Sequence, residues 1–296
     1  MLLNRQATPM PNGIYGLLGR GYPIPTPAEP RGWHPEASDW FARVEANGGS
    51  VSQRTAVAVS GFCWQIQDAR IRHLFWRLNL FCGSTLTAAL VPLFRGPIVG
   101  GRAFGNATET NVNFVSGDHS ETGSTRGLVG NATNKWLNTG VPLNFATDRQ
   151  LTVQPMTAMN GGGYMIGSLA NNTDLSSLFG VFSQNATNST TYNFSDAAVF
   201  ASAGNNAVTL GQLVSGISLT SGTSRLAVAN AIVASGTGYG TANTNGFYVF
   251  SANRPNGTTV GTTSSRLGMY SIGLPMTDAQ HAAFNAAIVR FTTSMA

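Results

Sequence analysis

The sequence predicts a mainly β protein, an antiparallel sandwich or barrel that follows an extended arm and a small helical segment and is closed by a C-terminal helix. Three observations carry this. Only 10% of the 296 residues are charged while 42% are hydrophobic. Globular chains usually carry about a quarter of charged residues, so this surface must be built of hydroxyls and amides. From about Leu86 to Ile272, short apolar runs alternate with Gly, Asn, Ser and Thr clusters, as in VNFVSG, YMIGSL, LFGVF, LVSGISL, RLAVANAIVA, GFYVF and RLGMYSIG. That is the punctuation of successive strands with no helical period between them. After Thr277 the period lengthens, and Phe284, Ala287, Ile288 and Phe291 form one helical stripe.

Residues 1–33 hold six of the thirteen prolines, among them Pro23, Pro25 and Pro27 in the run PIPTPAEP. Such a run is neither helical nor central in a sheet. It reads as an extended anchoring arm that lies on a partner or a neighbouring subunit.

Residues 34–82 read as a small helical segment. Ser38 or Asp39 can cap a short helix carrying Trp40, Phe41 and Val44, which Asn47-Gly48-Gly49 ends. Ser52 can cap a second helix, whose Ala56, Val59, Phe62, Cys63 and Ile66 share one packing face. Ile71–Phe81 is open between helix and strand. Residues 83–296 form the sandwich and its closing helix, where Thr277 with Gln280 makes a capping box.

The net charge of +5 rests on sixteen Arg and one Lys, Lys135. Residues 1–102 carry ten Arg against five acids, whereas residues 103–296 balance at seven and seven. The basic excess is therefore N-terminal. Arg70, Arg72 and Arg77 suggest a docking face for other proteins, because Arg is favoured at interfaces and Lys is not. Without a basic run or stacking platform, nucleic acid is not an expected partner.

No secretory leader pattern stands at Met1–Met10, and the longest apolar stretch, Leu86–Phe94, is too short for a membrane span. The expectation is a soluble product made in a cytoplasm. The sequons at Asn106, Asn131, Asn171, Asn185, Asn188, Asn193 and Asn256 then read as Asn/Thr loops. Cys63 and Cys82 lack metal-ligand spacing and read as buried free thiols.

Motifs of chemistry are scarce. Seven Asp and five Glu are scattered, so a pair of glycosidase carboxylates would have to assemble from distant positions such as Glu109, Asp118 and Glu121. Asp118-His119 with Glu121 is a compact titratable cluster in a Gly/Ser/Thr loop and reads as a solvated turn. No nucleophile elbow or phosphate-binding Lys loop is present, and no metal or cofactor is expected. Sugar recognition needs only an aromatic platform with amides and hydroxyls. Trp136, Tyr164, Tyr192 and Tyr239 stand near such segments.

Trp76–Gly83, Leu86–Gly96, Gly105–Gly123, Gly127–Gly140, Gly246–Gly257 and Ser264–Gly273 together resemble a family of uncharacterised structural proteins of tailed phages and prophages. The resemblance covers about residues 35–295. It implies a concanavalin A-like (laminin-G type) jelly roll and a place on the virion surface, as a tail fibre, baseplate or capsid-decoration component. It implies no catalytic residues. The resulting expectation is a non-enzymatic virion protein, docked on other virion proteins by its N-terminal part and assembled as a homo-oligomer, with a trimer the expected state. The alternatives are a lectin-like module for host polysaccharide and a glycan-degrading enzyme.

Overall fold

The computed structural model describes residues 32–96, 105–142, 148–157, 162–172, 178–184, 191–196, 199–203, 211–219, 221–237 and 245–296. The expected Pro23, Pro25 and Pro27 docking arm lies outside them. His34–Ala296 forms one compact unit.

Helix α1 (Pro35–Ala46) begins earlier than either Ser38 or Asp39 would place it. Pro35 holds the first helical position, where its fixed φ suits the helix and its missing N–H is not needed. The His34 ring accepts from the Glu36 amide at 3.1 Å. Asp39 is thereby left inside the helix and pairs with Arg43 at 2.8 Å. Helix α2 (Gln53–Asp68) starts where expected, with the Ser52 hydroxyl accepting from the Thr55 amide.

The apolar run at Leu86 opens with a short helical turn, α3 (Leu86–Ala89), and not with a strand. Helix α4 (Asp278–Met295) carries the capping box of Thr277 and Gln280. Its stripe Phe284, Ala287, Ile288 and Phe291 is buried throughout.

The strands in chain order are β1 (Phe75–Asn79), β2 (Thr110–Val112), β3 (His119–Ser120), β4 (Gly127–Val129), β5 (Trp136–Pro142), β6 (Arg149–Pro155), β7 (Gly163–Leu169), β8 (Leu178–Gln184), β9 (Thr191–Asp196), β10 (Val199–Ala203), β11 (Val214–Leu219), β12 (Thr223–Val228), β13 (Ala231–Thr237), β14 (Gly246–Val249), β15 (Ala252–Asn253), β16 (Thr259–Val260) and β17 (Arg266–Gly273). They build two sheets. The first runs β13-β12-β11-β6-β17-β4-β3, with β1 also on β17; the second runs β10-β9-β8-β7-β14-β5-β2, with the β15–β16 hairpin attached at β7. This is the mainly β jelly-roll sandwich, closed by a C-terminal helix, that the sequence predicts.

The core between the sheets holds Leu151, Val153, Val214 and Tyr270 from the first and Leu137, Met165, Val181, Phe247 and Val249 from the second. A second apolar cluster lies on the outer side of the first sheet, where Trp40, Phe62, Phe75, Phe94, Phe284 and Phe291 join the helices to Leu78 and Met269. Burying a side chain of this size is worth about 1.5–3 kcal/mol, so this second cluster is an energetic partner of the sandwich and no mere appendage. Strand β6 shows the consequence, because all seven of its residues are buried. Leu151 and Val153 face the sandwich core while Gln154 donates to Thr292 of α4 at 3.2 Å.

Both cysteines are buried and free, as expected. Burial pushes the Cys82 thiol up to about 12 and the Cys63 thiol well above its usual value.

Candidate functional site

Two of the three arginines expected to form a docking face turn inward. Arg72 is 8% exposed and pairs with Glu36 at 2.7 Å. It also donates to the Gly96 carbonyl at 2.9 Å and lies 4.0 Å over the Phe94 ring. Arg77 is fully buried against Glu109 at 3.1 Å, and Tyr270 donates its hydroxyl to the same carboxylate oxygen. The expectation fails because nothing in the local sequence announces Glu36 or Glu109 as their partners. Arg70 is exposed, in left-handed backbone at φ 57°.

Glu109, Arg77 and Tyr270 form a fully buried ionisable group that ties β1 and β17 to the residue before β2. Burial pushes the Glu109 carboxyl up against the pull of Arg77, and burial together with Glu109 pushes the Tyr270 hydroxyl well up, so it stays a donor. Gly105, at φ +78°, lets the backbone close over this group, since a Cβ there would sit 2.8 Å from Arg77 Nη1.

The Asp118-His119-Glu121 cluster is not a solvated turn. Asp118 is 9% exposed, takes Lys135 Nζ at 2.6 Å and accepts the Val115 amide at 2.7 Å. Glu121 accepts from Ser52 at 2.7 Å and also from Thr55 and Ser84, which ties it to the start of α2. Burial lowers the His119 pKa. His281, which the helical pattern puts on the polar side of α4, is 3% exposed and lies 2.8 Å from Ser215 Oγ. Among the described residues, no three His, Cys, Asp or Glu side chains are placed to hold a metal ion, and no helix is long and apolar enough to cross a membrane.

The aromatic candidates separate. Tyr164 is 9% exposed, packed among Leu169, Leu178 and Phe182 under the β15–β16 hairpin, and offers no platform. The backbone of Tyr192 lies in β9, while its side chain, like the whole of Tyr239, falls outside the described residues. Trp136 stays half-buried at the start of β5 and stacks on Tyr248 of β14, with centroids 4.1 Å apart and planes 16° from parallel.

Register explains that pair. Asn138 of β5 lies opposite both Tyr248 of β14 and Thr110 of β2, while Val112 lies opposite Trp136. Side chains alternate along a strand, and Leu137 and Val249 point into the core. Trp136, Asn138, Tyr248, Thr110 and Val112 therefore share the outer face of the second sheet. Asn106 adds an amide there, donating to Thr110 Oγ1 at 3.1 Å. Asn253 Nδ2 donates to the Gly246 carbonyl at 2.9 Å, and among the described residues its Oδ1 has no hydrogen-bond partner although the residue is 6% exposed. The Tyr248 hydroxyl reaches the Gly257 carbonyl at 3.4 Å, which joins the platform to the hairpin. Tyr248 gives no local sign of this role, because its partner comes from a distant strand.

No family model matches the chain. No curated protein matches it either. Solved structures do. A mutant of Trypanosoma rangeli sialidase displaying trans-sialidase activity is similar at 11% identity and a TM-score of 0.47, over 77% of this chain and 39% of that one. The CBM40 of the Ruminococcus gnavus IT-sialidase, bound to alpha2,6 sialyllactose, is similar at 11% identity and a TM-score of 0.36, over 54% of this chain and 99% of that one. Domain 4 of AbnA, a GH43 arabinanase from Geobacillus stearothermophilus in complex with arabinotriose, is similar at 14% identity and a TM-score of 0.39, over 64% and 91%. The chain spans 23% of a NanB chain and 39% of the Trypanosoma rangeli sialidase chain it matches. Sialidases stand among these structures, so the expectation of a non-enzymatic protein is withdrawn, and at these identities and TM-scores the likeness assigns no activity to this chain.

Proposed function

We propose that this protein binds glycans on the outer face of its second sheet, with Trp136 as the stacking platform. The observation that carries the reading is the Trp136–Tyr248 stack on a face lined by Asn138, Thr110 and Asn106. Tyr248 beneath holds the indole, so the platform is ordered before a ligand arrives and binding costs less entropy. An apolar ring face beside amide and hydroxyl groups matches the two surfaces of a sugar. The Lys135 charge beside it is already paired with Asp118, which favours neutral sugar faces. A glycan array tests the reading. Wild-type signal that Trp136→Ala removes, with the melting temperature kept, supports it, and a silent wild-type array contradicts it.

A second reading follows from the motifs at Trp76–Gly83, Leu86–Gly96 and Gly246–Gly257: the sandwich is carried on a virion surface and presents this face outward to host polysaccharide. Antibody against the sandwich should decorate intact particles; particles that contain none of the chain would reject that placement.

A further inference from the structure

Helix α2 buries one face in the outer apolar cluster and presents the other outward. Thr55, Ala58, Val59, Phe62, Cys63 and Ile66 are the buried side. Arg54, Val57, Gly61, Trp64 and Asp68 follow the i, i+3, i+7, i+10, i+14 spacing of the opposite face. Val57 is 50% exposed, and Arg54 and Asp68 are exposed at the two ends.

Gly61 lies at the middle of this face. A glycine inside a helix is less favourable than an alanine, and here an added Cβ would meet nothing within 4 Å, so packing within one chain does not call for it. A bare backbone position lets another element come close. The surroundings of Gly61 are arranged in pairs. Arg54 lies seven residues before it and Asp68 seven after it, and seven residues are about two turns. Ala58 lies three before and Trp64 three after. A shallow hollow on the α4 flank is lined by Gln53, Arg54, Val57, Ala58 and Ser294, whereas Trp64 stands on the α1 flank, its ring edge-on to His34 at 4.6 Å.

We propose that α2 packs antiparallel on α2 of a second copy of this chain, about a two-fold axis at Gly61. Such an axis sets a residue a given number of places before Gly61 against the residue the same number of places after it in the other copy. Arg54 of each copy then meets Asp68 of the other, Val57 meets Gln65, and the Trp64 ring lies over the hollow beside Ala58. Charge complementarity selects this occupant. The face is basic at one end and acidic at the other, so an antiparallel copy pairs opposite signs at both ends and a parallel one would set like charges together. A carboxylate accepts several donors, so Asp68 takes Arg54 in addition to the contacts it makes within its own chain. The inference gives a pair in place of the trimer expected from the sequence, and it lies on the outer side of the first sheet, apart from the Trp136 face.

Sedimentation of the full chain tests it. The wild type should run at twice its 31.0 kDa mass. Arg54→Asp and Asp68→Arg should each halve that mass, because each sets like charges together at both ends of the pair, and the double variant Arg54→Asp/Asp68→Arg should restore it. Within one copy these positions are about 21 Å apart along the helix, so only pairing between copies lets one change rescue the other. Gly61→Leu should also halve the mass, with the melting temperature kept. A wild type that runs as one copy or as three overturns the proposal, as does a folded single variant that keeps the paired mass or a folded double variant that stays single.

Discussion

The outer faces of the two sheets have opposite fates. Helices α2 and α4 and the segment around Phe94 cover the first sheet, and even its polar side chains are used inside: Gln154 bonds Thr292, Ser215 bonds His281, and Arg126 donates to the Leu80 and Gly268 carbonyls. Among the described residues, the second sheet has the small β15–β16 hairpin over its outer face, above Tyr164, Leu178 and Phe182. Beside that hairpin Trp136 stays partly open among amides. A covered face contributes stability, and an open face with an ordered aromatic on it can bind. The buried group Arg77–Glu109–Tyr270 is therefore a structural joint, whereas the low-charge face is the one on which we propose recognition.

The largest expected effect breaks the buried ion pair. Glu109→Leu leaves the Arg77 guanidinium fully buried without its counter-charge, and losing one partner of a buried pair costs about 3–5 kcal/mol. Urea unfolding should show that loss. The double variant Arg77→Met/Glu109→Leu should recover most of it, because an apolar pair of similar volume is often no less stable than the ion pair.

Acid should act on two buried histidines. Burial lowers the pKa of His119 and His281 from their ordinary 6.5. Below that pH the unfolded chain binds protons that the folded chain does not, so stability is full above the ordinary value and declines as pH falls toward the folded values. Melting temperature followed from about pH 8 to about pH 5 should fall, and His281→Gln should flatten part of the decline. A pH-independent melting temperature would contradict the buried, neutral state of both rings.

A smaller effect is expected at the start of α2. Ser52→Ala removes the cap and one donor to Glu121, at a cost of about 0.5–2 kcal/mol. Glycan binding at the second sheet should be unchanged, since the Ser52 partners lie on the covered side.

The helix signals were legible locally. Ser52, the face from Val59 to Ile66, and the Thr277/Gln280 box act within a few residues, and the structure uses each as written. The strand runs were legible for the same reason. Gln150, Thr152 and Gln154 were not, because a polar alternation in a strand looks the same whether water or a helix covers it. Arg72 and Arg77 were misread for a related reason: their carboxylates come from Glu36 and Glu109, far along the chain. The candidate site was half legible. Trp136 stands out among Asn and Thr, whereas Tyr248 becomes its partner only once β14 lies beside β5, and Tyr164 is lost to the hairpin that covers it.

The most direct test of the central claim is a matched titration of wild type and Trp136→Ala with the glycan that gives the strongest array signal. The account predicts saturable binding by the wild type and at least a tenfold weaker affinity for the variant, about 1.4 kcal/mol, with equal melting temperatures. Equal affinities in two equally stable proteins would contradict it.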